Sequence, residues 1–230
     1  MDFATWEPTY EAVLDSFGYP RDGDERARDR LAELVADSET YPPGGLDLEG
    51  TTVAIAGAGP SLEAEADRAA DADRVLAAST AVDRLASVGV AVDAMVTDID
   101  KNPGTGRALT ESGVPVFVHA HGDNVPAVEE HVPAYDAAFV VPTTQAAPTD
   151  RVYNFGGFTD GDRAAFTADH FGAGGLRFVG WDFDDPDVTG EKRAKLQWAE
   201  RLLHWLEQRR GEQFDVLAGR RGDIDPVPGA

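Results

Sequence analysis

Residues 51–62 read Thr51-Thr52-Val53-Ala54-Ile55-Ala56-Gly57-Ala58-Gly59-Pro60-Ser61-Leu62. The apolar run predicts a short buried strand, and Pro60 fits the first turn of a helix that we predict over Pro60–Ala70. The glycines between strand and helix allow a sharp turn and a close approach to the backbone. A strand, a glycine turn and a helix in this order are typical of an α/β sheet, whose ligands bind beyond the carboxyl ends of its strands.

The same alternation of apolar strand and amphipathic helix continues along the chain. It predicts an α/β fold of Rossmann-like type, with a mostly parallel sheet covered by helices on both faces. The predicted strands are Thr52–Ala56, Arg74–Ser79, Ala94–Thr97, Val116–His119, Ala137–Val141 and Leu176–Gly180, and the later helices are Ala81–Ser87, Gly106–Glu111, Val125–Val132, Asp162–Phe171 and Glu191–Arg210.

The start of the chain precedes this pattern and predicts helices of its own. Leu31, Leu34 and Val35 share one helical face, and the segment Tyr41-Pro42-Pro43-Gly44-Gly45 ends any helix before it. We therefore predict a helical N-terminal extension, residues 1–46, and an α/β catalytic domain, residues 47–230.

The composition excludes several classes of function. With 42 acidic and 20 basic residues the formal net charge is −22, which disfavours binding to nucleic acids and to anionic membranes. The absence of cysteine excludes disulfides and thiolate metal sites. No apolar run reaches the ~18 residues of a membrane span, and the first residues lack the pattern of a secretory signal, so the expected location is the cytoplasm.

The balance among charged residues suggests adaptation to high salt. The chain has 27 Asp and 17 Arg but three Lys, namely Lys101, Lys192 and Lys195. At 1 M salt the Debye length is about 3 Å, so repulsion between surface carboxylates is largely screened. An ordinary acidic cytosolic protein remains the alternative interpretation.

Acidic side chains follow two neighbouring predicted strands. Asp98 and Asp100 come directly after the third strand, and residues two apart in a strand project to one side, about 6.6 Å apart along it. Carboxylates so close favour a cation between them, and Mg²⁺ suits this arrangement. We interpret Asp123, in the segment His119-Ala120-His121-Gly122-Asp123-Asn124, as a third carboxylate facing the same metal. Zinc on the His-x-His pair is the weaker hypothesis, because the other histidines lie in predicted helices.

The glycine turn and the lysines are candidate phosphate sites. A helix N-terminus after a turn such as Gly57–Ser61 offers free N–H groups to an anion. A dinucleotide fingerprint is disfavoured, because Leu62 replaces its third small residue and the second strand lacks a terminal acid. Lys192 and Lys195 open the last predicted helix, where they either bind phosphate or, for Lys195, form an ordinary pair with Glu191.

Polar residues at later strand ends are candidates for contact with a polar ligand. The segment Pro142-Thr143-Thr144-Gln145 offers neutral donors and acceptors. Thr159 or Asp160 can serve as a helix N-cap, and Asp162 and Arg163 can contact a ligand. Asp182 follows the last strand, where it can accept hydrogen bonds from the ring nitrogens of a heterocycle.

Five of these motifs together resemble one family. The chain resembles the archaeal MptE-like 6-hydroxymethyl-7,8-dihydropterin pyrophosphokinases from about Thr51 to Trp205, with all five in the same order. The resemblance implies a fold similar to the catalytic domain of thiamine pyrophosphokinases. It also implies Mg²⁺-dependent transfer of the terminal diphosphate of ATP to the pterin hydroxymethyl group, with release of AMP. The motifs are Gly57-Ala58-Gly59-Pro60-Ser61-Leu62, Thr97-Asp98-Ile99-Asp100, His119-Ala120-His121-Gly122-Asp123-Asn124, Thr143-Thr144-Gln145 and Gly157-Phe158-Thr159-Asp160-Gly161-Asp162-Arg163.

For the reaction that the resemblance implies, we assign a role to each group of candidate residues. The partners are ATP and a pterin of folate or methanopterin biosynthesis, and a homodimer stays open. One of the metal-binding carboxylates accepts the proton of the substrate hydroxyl. We predict Mg²⁺ on Asp98, Asp100 and Asp123, nucleotide contacts at Gly57, Gly59, Pro60, Ser61 and Lys192, and pterin contacts at Thr144, Gln145, Thr159, Asp160, Asp162, Arg163 and Asp182.

Three other functions remain open at this point. The Gly-x-Gly-Pro-Ser-Leu turn also resembles the nucleotide-binding turn of some bacterial sialyltransferases, and Asp-x-Asp sites serve sugar nucleotides, so a glycosyltransferase is one alternative. A nucleotide sensor without catalysis is the second. Thiamine as the acceptor of the same diphosphate transfer is the third.

Overall fold

The computed structural model describes residues 1–228, which form a six-stranded sheet and eight α-helices. All six strands run parallel in the order β5-β4-β3-β2-β1-β6, so their carboxyl ends meet at one edge. This confirms the predicted α/β class. The strands are β1 (Thr52–Ala56), β2 (Arg74–Ala78), β3 (Ala94–Thr97), β4 (Val116–Ala120), β5 (Val140–Thr144) and β6 (Gly175–Val179).

The helices cover both faces of the sheet, as the unbroken apolar strands require. Two hydrophobic clusters result, one on each face. Within residues 1–228, no helix has the length and apolar content needed to cross a bilayer. The helices are α1 (Phe3–Phe17), α2 (Arg21–Leu34), α3 (Ala66–Ala70), α4 (Ala81–Ser87), α5 (Pro103–Glu111), α6 (Val125–His131), α7 (Asp160–His170) and α8 (Gly190–Arg210).

The two N-terminal helices pack on opposite faces of the sheet. Trp6 of α1 joins the cluster that contains Phe166 and Trp205, with its ring stacked 6.5 Å from that of Trp205. Leu31 of α2 is fully buried in the other cluster. The turn between α1 and α2 therefore crosses the carboxyl edge of the sheet. The boundary at residue 46 stays a prediction.

The predicted helix Pro60–Ala70 is wrong over its first half. The chain instead forms a short 3₁₀ turn at Glu63–Glu65, followed by the five-residue α3. Glu65 leaves the helical region, with φ −101° and ψ 4°, and its carboxylate accepts a hydrogen bond from the backbone N–H of Gly180 at 2.8 Å. This hydrogen bond links Glu65 to the segment after β6, and the first turns of the predicted helix do not form.

The fifth strand begins later than the predicted Ala137–Val141. Residues 137–139 form a 3₁₀ turn capped by Asp136, whose side chain accepts from the backbone N–H of Ala138 at 3.1 Å. The strand then covers Val140–Thr144, so Thr143 and Thr144 lie inside the sheet rather than in a loop after it. The cap sets where the strand begins, because it satisfies the backbone N–H of Ala138, which a longer strand would have paired.

Candidate active site

A cavity of about 560 Å³ opens at the carboxyl edge of the sheet. Its wall comes from the ends of all six strands, from the starts of α2 and α7, from α8 and from the turn between α1 and α2. Of the residues predicted for the site, those in the wall are Gly57, Gly59, Asp98, Asp100, Asp123, Gln145, Thr159, Asp160, Arg163, Asp182 and Lys192, whereas Pro60, Ser61, Thr144 and Asp162 do not line the cavity.

The acidic pair after β3 lies on a tight turn. The strand ends at Thr97, and Ile99 adopts the left-handed conformation with φ 55°. Thr97 Oγ1 accepts from the backbone N–H of Ile99 at 2.9 Å, and Asp98 Oδ1 accepts from that of Asp100 at 3.3 Å. The predicted strand geometry for this pair is therefore wrong, because the strand ends at Thr97, before either acidic residue, and Ile99 between them is left-handed.

The two carboxylates of this turn are unequal in charge. Burial raises the pKa of Asp98, but hydrogen bonds from His121 and Asp100 and the charge of Arg163 outweigh it, and the net shift is downward. Burial, followed by the hydrogen bond to Asp98 and its charge, raises the pKa of Asp100 to about 6. Asp98 is therefore ionised near neutral pH, whereas Asp100 takes up a proton as the pH falls to about 6, and a divalent cation can replace that proton.

The carboxylates of the cavity suit a Mg²⁺ ion that receives most of its ligands from substrate phosphates and water. Mg²⁺ usually binds one or two carboxylates and completes its shell with water and phosphate oxygens. Asp98 and Asp100 supply such a pair, whereas Asp123 is exposed on the loop after β4. Within residues 1–228, no three acidic, histidine or cysteine side chains converge closely enough to hold a metal ion. The third carboxylate of the predicted set stays a prediction.

The two histidines of the His-x-His segment diverge. His121 Nε2 lies 3.7 Å from Asp98 Oδ2, in the cavity. His119 is buried behind it, with Nδ1 3.1 Å from Thr143 Oγ1 and Nε2 without a hydrogen-bond partner. Burial, followed by the charge of Arg163, lowers the pKa of His119 well below its usual value, so this ring stays neutral. The arrangement gives no support to a zinc site.

All three lysines of the chain line this cavity. Burial, followed by the charge of Lys101, lowers the pKa of Lys192. Lys195 forms the predicted pair with Glu191, at 3.1 Å between Nζ and Oε1. The cavity thus joins acidic and basic groups in one space, as binding of a metal and of phosphates requires.

The glycine turn after β1 serves contacts within the protein. The backbone N–H and the hydroxyl of Ser61 both donate to Asp182 Oδ2, at 3.0 and 2.7 Å. A Cβ at Gly59 would overlap Asp182 Oδ2 and would lie 2.7 Å from the carbonyl oxygen of Gly180. The close approach that these glycines allow is therefore made by the segment after β6.

The residues around α7 that were predicted to contact a ligand divide into those that fix the start of the helix and those that face the cavity. Asp162 is fully buried and forms a capping box with Thr159, which fixes the start of α7. Arg163 Nη1 donates to Asp160 Oδ1 at 3.1 Å, and its Nη2 donates to Gln145 Oε1 at 3.1 Å. Burial, followed by the charge of Asp98, raises the pKa of Asp160 to about 7.

The turn between α1 and α2 and the start of α2 bring residues to the site that sequence reasoning missed. Tyr19, Gly23, Asp24 and Arg26 all line the cavity. Asp24 is 4% exposed and accepts hydrogen bonds from Tyr10, Gly122 and Gln145. The sequence carries no signal for this role, because an acidic residue in the first turn of a helix is common for reasons of helix stability alone.

Comparison with known proteins assigns the chain to a family. A family model described as "6-hydroxymethylpterin diphosphokinase MptE-like" matches residues 33–188. The 6-hydroxymethyl-7,8-dihydropterin pyrophosphokinase of Methanothermobacter thermautotrophicus is 34% identical over 225 residues, which cover 90% of this chain and 96% of that protein. Its namesake in Pyrococcus furiosus is 34% identical over 227 residues, covering 90% and 95%. That of Methanocaldococcus jannaschii is 29% identical over 234 residues, covering 91% and 97%.

Among solved structures, the MAf glycosyltransferase of Magnetospirillum magneticum AMB-1 aligns with a TM-score of 0.42 and 16% identity, over 80% of this chain and 35% of that chain. A likeness at that level carries no conclusion about function. The match over residues 33–188 and the identity to curated relatives along nine-tenths of the chain do carry one. This chain belongs to the MptE-like 6-hydroxymethylpterin diphosphokinase family.

Proposed function

We propose that this chain transfers the terminal diphosphate of ATP to the hydroxymethyl oxygen of 6-hydroxymethyl-7,8-dihydropterin, with Mg²⁺ as the metal and AMP as the second product. The names of the curated relatives support the pterin and the diphosphate. The observation that carries the proposal is the meeting, in one cavity, of a two-carboxylate turn and three lysines. Diphosphoryl transfer depends on that combination of charges.

The proposed reaction balances without a protein nucleophile. The substrate hydroxyl oxygen attacks the β-phosphorus of ATP, the bond from that phosphorus to the oxygen that bridges it to the α-phosphorus breaks, and AMP leaves with that oxygen. One of Asp98, Asp100 and Asp123 accepts the hydroxyl proton. When bound by these carboxylates, Mg²⁺ supplies charge neutralisation on the phosphate oxygens. The other task of the protein is alignment of the two substrates.

For the nucleotide, we assign the phosphates to the lysine side of the cavity. Lys101 follows Asp100 directly and Lys192 lines the same cavity, and their compact ammonium groups suit phosphate oxygens. The turn containing Gly57, Gly59, Pro60 and Ser61 remains a proposed second contact. Because Asp182 already accepts from Ser61, a phosphate can bind there only after Asp182 has moved away.

For the pterin, the proposed contacts are the polar residues that face the cavity. These are Gln145, Thr159, Asp160, Arg163 and Asp182. Thr144 and Asp162 do not line the cavity and act indirectly, since the Thr144 hydroxyl accepts from the backbone N–H of Ala146 and Asp162 caps α7. Tyr19, Phe158 and Trp181 add aromatic surface for a flat ring.

One assay tests the proposed function. Purified protein in concentrated salt is given Mg²⁺ and ATP with 6-hydroxymethyl-7,8-dihydropterin, other pterins or thiamine, and AMP is measured. We expect AMP with the hydroxymethyl dihydropterin and none without an acceptor. AMP with thiamine alone would assign a different acceptor, and nucleotide binding without AMP in any mixture would favour a sensor. A parallel incubation with sugar nucleotides tests the glycosyltransferase alternative.

A further inference from the structure

Asp24 is a buried carboxylate at the edge of the proposed substrate cavity. It lies in the first turn of α2, is 4% exposed and contributes to the cavity wall. A close backbone contact holds it there, because a Cβ at Gly23 would lie 3.3 Å from Gly122 Cα. The start of α2 is thus fixed against the loop after β4.

Three neutral groups donate to this carboxylate. The Tyr10 hydroxyl and Gln145 Nε2 donate to Asp24 Oδ2, each at 2.8 Å, and the backbone N–H of Gly122 donates to Oδ1 at 2.8 Å. The amide of Gln145 is oriented by Arg163, which donates to its Oε1 at 3.1 Å. A carboxylate offers about four acceptor positions, so one position on Asp24 is still available to a ligand.

Asp24 is held by neutral donors alone. Among residues 1–228 it forms no ion pair with lysine, arginine or histidine. Burial, followed by the charge of Asp24, raises the pKa of Tyr10, so that hydroxyl remains a donor. A buried carboxylate is stable without a cation when hydrogen bonds satisfy it, and a ligand with an N–H group adds to them.

The remaining carboxylates in the cavity are engaged elsewhere or exposed. Asp98 and Asp100 contact each other, Asp160 pairs with Arg163, and Asp182 binds Ser61. Asp123 is exposed to solvent, and Asp185, which is partly buried, accepts from the backbone N–H of Asp187 at 2.9 Å. This leaves Asp24 as the buried acceptor that faces the cavity with an acceptor position unfilled.

We propose that Asp24 accepts a hydrogen bond from the donor edge of the pterin ring, formed by its 2-amino group and N3–H, and so determines specificity for a 2-amino ring. This inference rests on the proposed function, because it takes a pterin as the acceptor. Tyr19 lies a few residues before Asp24 and lines the same cavity, so one segment supplies both aromatic surface and the polar contact.

The test compares the binding of two rings that differ at one group. Dissociation constants are measured for 6-hydroxymethylpterin, for its 2-oxo analogue 6-hydroxymethyllumazine, and for a non-hydrolysable ATP analogue. The proteins are wild type, Asp24→Asn and Asp29→Asn, an exposed position on the same helix. Circular dichroism and a thermal melt establish that each variant is folded.

We expect wild type and Asp29→Asn to prefer the 2-amino ring by about 10- to 100-fold, the range for loss of a hydrogen bond to a charged group. In Asp24→Asn the amide can donate to the 2-oxo group, so this preference should shrink at least about tenfold. Affinity for the ATP analogue should change by less than about threefold, because Asp24 forms no ion pair or hydrogen bond with any of the lysines among the described residues.

Two results would overturn the inference: equal affinity of wild type for the two rings, or a folded Asp24→Asn that keeps the wild-type preference. If Asp24→Asn does not fold, the wild-type comparison decides by itself. Binding of the nucleotide without binding of either ring would overturn the proposed function, and this inference with it. Pterin binding with an unchanged preference would overturn the inference alone.

Discussion

Ile99 adopts a backbone conformation that branched side chains rarely take, and it does so between the two acidic residues of the proposed metal site. Its side chain is 1% exposed and packs in the cluster on the α2 face of the sheet. That packing holds the residue at φ 55°, at a cost of about 1–3 kcal/mol. The strained turn brings the carboxylates of Asp98 and Asp100 together, which an unstrained continuation of β3 would not do.

Asp98→Asn should reduce AMP formation by at least about 100-fold, since it removes the more acidic carboxylate of the pair. The fold should persist, because Asn keeps the shape and an oxygen that can accept from the backbone N–H of Asp100. AMP release and the thermal midpoint are the measurements. Asp71→Asn, at an exposed position remote from the cavity, is the matched control. Near-normal turnover by Asp98→Asn would contradict a metal role.

Asp160 makes a testable contribution to the pH dependence of stability. Its pKa is raised to about 7 by burial and then by the charge of Asp98, whereas aspartate in an unfolded chain titrates near 3.9. Between these pH values the folded chain binds more protons than the unfolded chain. The contribution of this group to the free energy of unfolding therefore falls as pH rises, by at most about 1.4 kcal/mol per pH unit.

Denaturant unfolding without Mg²⁺ measures this contribution. Asp160→Asn should gain stability relative to wild type between about pH 5 and pH 7.5, because the amide resembles the protonated acid. The curves of wild type and Asp71→Asn should stay parallel. A constant difference between wild type and Asp160→Asn over that range would contradict the raised pKa.

At the scale of elements, the carboxyl edge is assembled from segments that contact each other across the sheet. The turn after β1 and the segment after β6 approach until Gly57 N donates to Val179 O at 2.9 Å and Gly59 N donates to Gly180 O at 2.8 Å. On the other side of the cavity, the start of α2 packs on the loop after β4 through Gly23 and Gly122. These contacts hold the turns together at the edge of the sheet where the cavity opens.

Gly59→Ala should therefore destabilise the fold by about 1–3 kcal/mol, the usual effect of overpacking. The added methyl group would overlap Asp182 Oδ2 and crowd Gly180 O at 2.7 Å. Gly104→Ala in α5 is the control, since a Cβ there meets nothing within 4 Å. The control should be neutral or more stable by up to about 1 kcal/mol, because alanine favours a helix. Equal midpoints of urea unfolding for the two variants would contradict the close approach.

At the scale of the whole molecule, charge is the dominant property. The net charge is −22, although many surface arginines pair with acids, as Arg21 does with Glu7, Glu11 and Glu25. Exposed ion pairs contribute little each, and salt weakens them. The repulsion among unpaired carboxylates is larger and is also screened by salt.

The thermal midpoint should consequently rise between about 50 mM and about 3 M salt, as screening removes the net repulsion. Differential scanning calorimetry in KCl measures this change. A neutral osmolyte at matched water activity is the control, because it favours compact states without screening charge. Equal midpoints at both salt concentrations would contradict adaptation to high salt.

The sequence alone determined the α/β class, the parallel sheet and the edge at which the site lies. The spacing of hydrophobic residues along the chain depends only on local sequence. The bounds predicted from it for β1, β3 and α4 are therefore the observed ones. The parallel topology predicted that the residues after the strands and at the starts of the following helices meet at one edge. Asp98, Asp160 and Lys192 do line one cavity there. Helix α3 and strand β5 were misplaced at their starts, because tertiary hydrogen bonds and a cap compete there with local propensity.

Only the tertiary structure decided which polar side chains face the cavity and which support it. Asp162 turned out to be a cap, Ser61 a partner of Asp182, and Asp24 a part of the site. The Asp24–Gln145 contact joins residues 121 positions apart, and the Ser61–Asp182 contact also spans 121. No local pattern encodes such pairs, because they form only when the packing of helices on both faces brings distant turns to the same edge of the sheet.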